Sequence, residues 1–308
     1  MEQTEIDKIV ADFWDQNTDE SYFGESYWLA NPIIHRRYNS KAAGGRKYDS
    51  WVNFTVDHYL KSGRNKGKIL SIGSGDGVLE RHLASIQAAE KIHGIDLSPK
   101  RIDIAQKAAV DAGLQGTIMY FVGNVETMPF PDLNYDAIYF NASLHHMSDL
   151  TQILQSCSRA LRKDGFLFVN EYIGPNRFDF SRREKEVMTA AFHLIPEKYR
   201  LSQTGEEKGK VKTELMFPSP AEVARVDPSE AIHSEEIFEA IEKNFEILEF
   251  NSAGGSVCQF MLDGIAGNFR HNDPESLKVL RLIFDIEDTL EALSDLRPHF
   301  GMFVACKK

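Results

Sequence analysis

The residues best suited to chemistry begin with a glycine-rich segment, residues 69–77, that reads ILSIGSGDG. An apolar run enters the glycines at 73, 75 and 77, and a helix-like stretch follows them. Glycines permit positive φ and let a ligand approach bare backbone, and the start of the next helix offers unpaired N–H donors to an anionic group. The segment therefore indicates a ligand-binding turn, although an ordinary strand-to-helix turn has a similar composition.

A carboxylate stands at Asp96, 19 residues after Gly77, at the end of the next apolar run. There it can accept hydrogen bonds from both hydroxyls of a ribose. Alternatively it caps the helix that begins near Pro99, a role for which Ser98 is better suited. A dinucleotide site needs G-x-G-x-x-G, and Val78 stands where its third glycine belongs. The spacing thus disfavours a nicotinamide cofactor.

Two adjacent histidines, His145 and His146, follow the fourth apolar run. They lie at the carboxyl edge of the predicted sheet, where ligands bind in such folds. Either could take a proton from a hydroxyl or ammonium acceptor, since the pKa of histidine lies near neutrality. Alternatively one packs under a cofactor and the other caps the helix near Leu150. Adjacent histidines diverge on most backbones and no third ligand is evident, so we expect no metal site.

Further polar and aromatic residues are candidates for substrate contact. Glu171, at the end of the fifth run, either orients a substrate amine or hydroxyl or pairs with an arginine such as Arg177 or Arg182. Tyr172 ends the same run beside Glu171. Tyr27 and Trp28, near the N-terminus, either exclude water from a cationic centre or simply pack. Four phenylalanines either line an apolar substrate pocket or pack in the core, and core packing is favoured. They are Phe178, Phe180, Phe192 and Phe260. The charged run TGEEKGKVKTE predicts a solvated loop, with a lid as the alternative.

The elements that must position these residues alternate between strands and helices from residue 68 onward. This rhythm indicates a mostly parallel, doubly wound α/β sheet with helices on both faces. The predicted strands are Lys68–Ile72, Lys91–Asp96, Thr117–Val122, Tyr135–Asn141, Phe166–Asn170, Phe245–Phe250 and Phe300–Cys306. The predicted helices are 5–15, 49–61, Val78–Ala89, Pro99–Ala112, Leu150–Leu161, Ser234–Lys243, 256–269 and 274–296.

The expected domain organisation is a helical cap followed by one core. The cap covers residues 1–62 and the core 63–308, with cap insertions at about 172–232 and 255–297. The 308 residues have 42% hydrophobic content, so they can bury a sizeable core.

Charge and cysteine usage narrow the function classes. The net charge is −11 and no Lys/Arg-dense run is present, so the footprint of a nucleic-acid protein is missing. The cysteines, Cys157, Cys258 and Cys306, are too scattered for a disulfide framework or a CxxC metal site. No signal peptide or membrane-length apolar run is evident. We expect a cytoplasmic protein without nucleic-acid or membrane partners, of unknown oligomeric state.

Four segments in order resemble the class I S-adenosylmethionine (SAM)-dependent methyltransferases of the small-molecule type, with a methyltransferase-11/25-like core. They span about Lys68 to Tyr172 and read ILSIGSGDG, GIDLSP, FVGNVETMPFPDLNYDAIYFNASLHHM and RALRKDGFLFVNEY. The resemblance implies a Rossmann-like seven-stranded sheet of order 3-2-1-4-5-7-6, with strand 7 antiparallel, and a helical cap. The resemblance also implies cofactor contacts, namely Gly73, Ser74 and Gly75 at the methionine part, Asp96 at the ribose, Leu97 on the adenine face, Asn124 and Val125 at the adenine edge, and Asn141 at the methionine end.

Two positions depart from the family pattern. The family often has Asp or Glu where Ser71 stands, bonded to the SAM ammonium, so Asp76 or Glu80 would have to compensate. It also often has Asp where Asn124 stands, and an amide oxygen can still accept a hydrogen bond from the adenine amino group.

The resemblance predicts methyl transfer from SAM to a small molecule, giving S-adenosylhomocysteine. We expect an oxygen or nitrogen acceptor rather than carbon. The expected catalytic residues are His146, His145 and Glu171, and the expected substrate contacts are Tyr27, Trp28 and Tyr172. The alternatives are a SAM-binding protein without catalysis and, less favoured, a nicotinamide-dependent reductase.

Overall fold

The strands form one sheet in the order predicted. The computed structural model describes residues 3–17, 27–60 and 67–308, and in these ranges the sheet has the order β3-β2-β1-β4-β5-β7-β6. β7 is antiparallel to β5 and β6, and the other neighbours are parallel. The strands are β1 Lys68–Ile72, β2 Lys91–Asp96, β3 Ile118–Val122, β4 Tyr135–Asn141, β5 Leu161–Tyr172, β6 Phe245–Gly254 and β7 Phe300–Lys307.

Both faces of this sheet are buried, which explains the nearly unbroken apolar runs. Along β1, Ile69 packs into one hydrophobic cluster, whereas Leu70 and Ile72 pack into a second cluster on the other face. The same alternation places Phe168 of β5 in the first cluster and Val169 in the second. Helices on each side therefore hold the carboxyl ends of β1, β2 and β4 in fixed positions.

Eleven α-helices are found in the described ranges. They are α1 Gln3–Gln16, α2 Pro32–Ala42, α3 Trp51–Thr55, α4 Val78–Ser85, α5 Pro99–Asp111, α6 Leu150–Ala160, α7 Arg182–His193, α8 Pro220–Val226, α9 Ile237–Asn244, α10 Cys258–Leu262 and α11 Pro274–Ala292. None of the helices described is both long and apolar enough to cross a bilayer.

Three predicted elements need correction. The helix predicted at 256–269 is the short α10, because the chain turns at Gly264, which adopts a φ of 75°. The fifth strand is longer than predicted and includes the turn-like residues 163–165, with an irregular register against β4. The helix predicted at 49–61 is α3 followed by a π-helical turn, Val56–Leu60. The predicted boundary between residues 62 and 63 lies outside the described residues.

The N-terminal helix α1 lies over the carboxyl edge of the sheet. The Asn124 side chain donates to Asp7 (2.9 Å), and Lys100 donates to the Asp15 carbonyl (2.8 Å). The Arg101 guanidinium stacks 4.9 Å from the centre of the Trp14 ring. These contacts make α1 a roof over the ends of β2 and β3.

Candidate active site

The glycine turn after β1 is shaped by packing on two sides and by open space in the middle. Gly73, Gly75 and Gly77 have φ values of 70°, 50° and 75°. A Cβ at Gly73 would lie 2.3 Å from the Ser143 Cβ, and one at Gly77 would lie 2.2 Å from the Tyr120 hydroxyl. At Gly75 the nearest atom would be 3.9 Å away. The middle of the turn is therefore open to a ligand.

The Asp96 carboxylate stands beside this turn. One oxygen accepts from the Gly75 N–H (2.8 Å) and the other from the Ser98 N–H (2.9 Å). Burial raises the pKa of Asp96, and these two backbone donors oppose the rise. Each oxygen keeps a second lone pair for a ligand hydroxyl. The side chain that caps α5 is Ser98, not Asp96.

One cavity of about 950 Å³ opens along this edge of the sheet. Its lining includes all eight residues predicted to contact a cofactor, which are Gly73, Ser74, Gly75, Asp96, Leu97, Asn124, Val125 and Asn141. The Ser74 hydroxyl is buried and has no hydrogen-bond partner among the described residues. The structure thus brings the predicted cofactor residues together around one space.

Glu80, in the first turn of α4, is the acid closest to Ser71, the position where the family usually has an acid. It is fully buried and lines the cavity, and neither carboxylate oxygen has a hydrogen-bond partner in the described part of the chain. Burial raises the pKa of Glu80 to about 7, and the nearby Ser71 hydroxyl opposes the rise. Asp76, the other predicted substitute, is paired with Arg101 at 3.0 Å. Within the described ranges Glu80 is therefore the acid without an ion-pair partner, whereas Asp76 has one.

The first histidine, His145, is held by Glu171. Its Nδ1 lies 2.5 Å from one Glu171 oxygen. Glu171 is completely buried and also accepts from the backbone N–H groups of Ser143 (2.9 Å), Leu144 (2.5 Å) and Tyr172 (3.0 Å). Burial disfavours the imidazolium, but Glu171 outweighs it and raises the pKa of His145 to about 9. Glu171 fixes the loop after β4, and its partner is His145 rather than the predicted Arg177 or Arg182.

The second histidine, His146, faces the cavity. Its Nδ1 lies 2.9 Å from the Ser229 hydroxyl, which donates to Asp227 (2.7 Å). Because the carboxylate can only accept, the serine oxygen accepts the Nδ1 proton, and Nε2 keeps its lone pair. Burial and the neighbouring His145 lower the pKa of His146. His146 is thus set up as a neutral imidazole with a basic Nε2.

The predicted substrate residues divide into two groups. Tyr27 lines the cavity. Trp28 is buried and packs on Tyr38 and Phe300, and the buried Tyr172 donates to the Pro175 carbonyl (3.1 Å). The cavity lining includes neither Trp28 nor Tyr172, nor His145 and Glu171.

The phenylalanines and the charged run also lie away from the cavity. The four phenylalanines pack in or against the first hydrophobic cluster, which favours the core-packing reading. Within the TGEEKGKVKTE run, Val211 forms an isolated antiparallel β-bridge with Leu201, which precedes the run. The cavity lining includes none of the residues of this run, which speaks against a lid over this cavity.

Several cavity residues were missed from sequence. His35, Tyr38, Asn39 and Trp51 come from the cap, and Ser229 comes from the segment after β5. The Tyr38 hydroxyl donates to Asn170 (2.8 Å), whose amide donates to Asn141 (2.9 Å). The cap segments have no family motif, and α2, which begins at Pro32 after the Asn31 cap, was not among the predicted helices.

The expectation that no third metal ligand exists also needs correction. The rings of His145 and His146 are only 4.1 Å apart. Together with Glu230 they form a group whose potential ligand atoms all lie within 4.8 Å of one another. Glu230 lies more than 80 residues from the histidines, so sequence spacing gave no sign of it.

Comparison with known proteins decides the family. The methyltransferase domain family Methyltransf_11 matches residues 70–169. The ubiquinone/menaquinone biosynthesis C-methyltransferase UbiE of Vibrio cholerae is 27% identical over 202 residues, which are 61% of this chain and 75% of the relative. This chain carries a methyltransferase domain of the class I SAM-dependent type. A demethylmenaquinone methyltransferase of Thermotoga maritima is 31% identical over 157 residues, covering 51% of this methyltransferase and 61% of the relative.

A solved structure extends the likeness of fold to the cap. The geranyl diphosphate C-methyltransferase of Streptomyces coelicolor A3(2) covers 100% of both chains, with a TM-score of 0.56 and 13% identity. SAM is the methyl donor of this methyltransferase. The open glycine turn fits it, as do the Ser74 and Glu80 oxygens, for which the described residues provide no geometric hydrogen bond.

Proposed function

We propose that this methyltransferase moves the methyl group of SAM to a small molecule bound beside His146. The observation that carries the proposal is one shared cavity, whose lining adds His35, Tyr38, Trp51, Asn170 and Ser229 to the predicted cofactor residues. Its volume of about 950 Å³ lies at the upper end for small-molecule sites. This leaves room for an acceptor next to the cofactor, under the roof formed by α1.

Each part of the cofactor has a suitable group in the cavity. We assign the ribose hydroxyls to Asp96, the adenine edge to Asn124 and Val125, and the carboxylate of the methionine part to the turn around Gly75. Glu80 would hold the ammonium in place of the acid usual at position 71, because its carboxylate is buried and has no ion-pair partner among the residues the structure describes. When bound, SAM supplies a methyl group already activated by the sulfonium, so in-line positioning supplies much of the rate.

His146 would take the proton that the acceptor loses. Its Nδ1 proton is donated to Ser229, which donates to Asp227, and this leaves the lone pair on Nε2. The lowered pKa of His146 keeps the ring neutral near pH 7. His145 and Glu171, also predicted as catalytic, are assigned here to positioning. Their bond fixes the loop from which His146 projects, and neither lines the cavity.

An oxygen or nitrogen acceptor is the first candidate, because a neutral imidazole can accept the proton that a hydroxyl or an ammonium group loses. Carbon is the second candidate, and the names of the UbiE relatives, which are C-methyltransferases, favour it. In that case His146 would take the proton from an activated carbon.

The test uses SAM with a ¹³C-labelled methyl group. The purified chain is incubated with a cell extract separated into small molecules, protein and nucleic acid, and the label is followed by mass spectrometry and NMR. We expect S-adenosylhomocysteine and a labelled small molecule, whose methyl carbon shift distinguishes O, N and C acceptors. Label found only in protein or nucleic acid, or SAM binding without any transfer, would overturn the proposal.

A further inference from the structure

The group formed by His145, His146 and Glu230 has a use beyond a single proton transfer. His145 Nε2 lies 3.5 Å from one Glu230 oxygen, and His146 Nε2 lies 3.9 Å from the other. Around one ion with bonds of about 2.1 Å, adjacent ligand atoms are roughly 3 Å apart. The ligand atoms, one from each residue, lie within 4.8 Å of one another, so a contraction of at most about 1.8 Å, shared by the Glu230 side chain and the two imidazoles, would bring them to coordination distance.

Both imidazoles already have the orientation of metal ligands. The Nδ1 of His145 is bound to Glu171, and the Nδ1 of His146 is bound to Ser229, which is itself bound to Asp227. In metal sites a carboxylate or another acceptor usually holds the second nitrogen of a histidine in this way, which fixes the tautomer and the ring. Here the arrangement aims both Nε2 atoms at the same carboxylate.

The charges around the pair favour a cation. Three carboxylates, Glu171, Asp227 and Glu230, surround the two histidines. The described residues give the Glu230 carboxylate no hydrogen bond, only the two imidazole contacts. One Asp227 oxygen is also buried without a hydrogen-bond partner in the described ranges. The site therefore has more acceptors than donors.

We propose that His145, His146 and Glu230 bind a first-row divalent transition-metal ion of the Zn²⁺ or Fe²⁺ type. Imidazole nitrogen suits these ions better than Mg²⁺, which prefers oxygen ligands. Metal binding releases the proton on His145 Nε2 to solvent. The proton on Nδ1 stays on the ring and is donated to Glu171. Of the three ligands only His146 lines the cavity, so an ion held here would stand at the cavity wall. In the metal-loaded protein it would occupy the Nε2 lone pair that accepts the acceptor's proton in the metal-free protein.

The test is calorimetric titration of the full, metal-free chain with Zn²⁺, and with Mg²⁺ for comparison. It needs no acceptor, so its result is separate from that of the methyl-transfer assay. We expect one Zn²⁺ per chain, much weaker Mg²⁺ binding, and at least a tenfold loss of Zn²⁺ affinity in Glu230→Gln. Co²⁺ absorption bands that weaken in the same variant provide a second measurement.

The matched control is Glu236→Gln. This residue faces His233 across 3.6 Å on the surface, so the change removes a histidine-carboxylate pair outside the site. We expect unchanged Zn²⁺ affinity there, and unchanged SAM affinity in both variants. Wild-type protein that takes up no Zn²⁺, or Glu230→Gln that binds it as tightly as wild type, would overturn the proposal.

Discussion

Replacement of Glu80 by Gln separates ligand binding from stability, because the two should change in opposite directions. The pKa of this buried carboxyl is about 7, against 4.5 for the free group. A rise of this size costs the ionised, ligand-free protein about 3 kcal/mol. Since folding raises the pKa, the cost grows as pH rises from about 4.5 to about 7 and is constant above. Without SAM, Glu80→Gln should therefore be more stable than wild type at pH 8 and close to it at pH 5.

The same change should weaken SAM binding. A charge-assisted hydrogen bond to the ammonium contributes about 1.5–3 kcal/mol, so the loss should be roughly 10- to 150-fold at pH 8. Wild-type affinity should fall about tenfold from pH 8 to pH 6 as Glu80 becomes protonated, and the variant should lose this dependence. Methylthioadenosine, which lacks the ammonium, should bind both proteins equally.

Calorimetric titration at pH 6 and pH 8, and urea unfolding at pH 5 and pH 8, measure these quantities. Glu90→Gln is the control, because it makes the same chemical change at an exposed glutamate. If Glu80→Gln binds SAM as tightly as wild type at pH 8, the assignment of the ammonium to Glu80 is refuted. If it is less stable than wild type at pH 8 without ligand, the argument from burial is refuted.

Three further changes test the rest of the site. Asp96→Ala should weaken SAM by roughly 1–3 kcal/mol in calorimetry through the lost ribose contacts, and unchanged affinity would exclude this role. His146→Gln should lower kcat by about 10²–10⁴ with little change in SAM affinity, and an unchanged kcat would exclude it as the base. Glu171→Gln should cost about 3–5 kcal/mol in urea unfolding, because it breaks a buried pair with His145 and disturbs three backbone hydrogen bonds. A cost below about 1 kcal/mol would show that Glu171 does not hold this loop.

The sheet and the cofactor edge could be predicted because their signals are local. The turn at residues 73–77 and the end of β2 at Asp96 each depend on residues adjacent in sequence, and alternating strands and helices leave few topologies. A local signal was also available where a prediction was wrong. Gly264, which has a positive φ and follows the extended residue Asp263 at the end of α10, stands in the middle of the helix predicted at 256–269.

The acceptor side could not be predicted in the same way. Glu230 and Ser229 reach His146 from a segment without motif or regular period, and only packing brings them together. The partner of Glu171 was also hidden, since a buried carboxylate can pair with a nearby histidine as well as with an arginine. Sequence patterns therefore predicted where the cofactor lies, whereas the structure was needed to find what surrounds the acceptor.

The most direct test of the central claim is a pair of calorimetric titrations of the wild-type chain, one with SAM and one with NADPH. The account predicts one SAM per chain, competition by S-adenosylhomocysteine and no measurable NADPH binding, because Val78 stands where a dinucleotide turn needs glycine. Binding of NADPH together with no binding of SAM would contradict it.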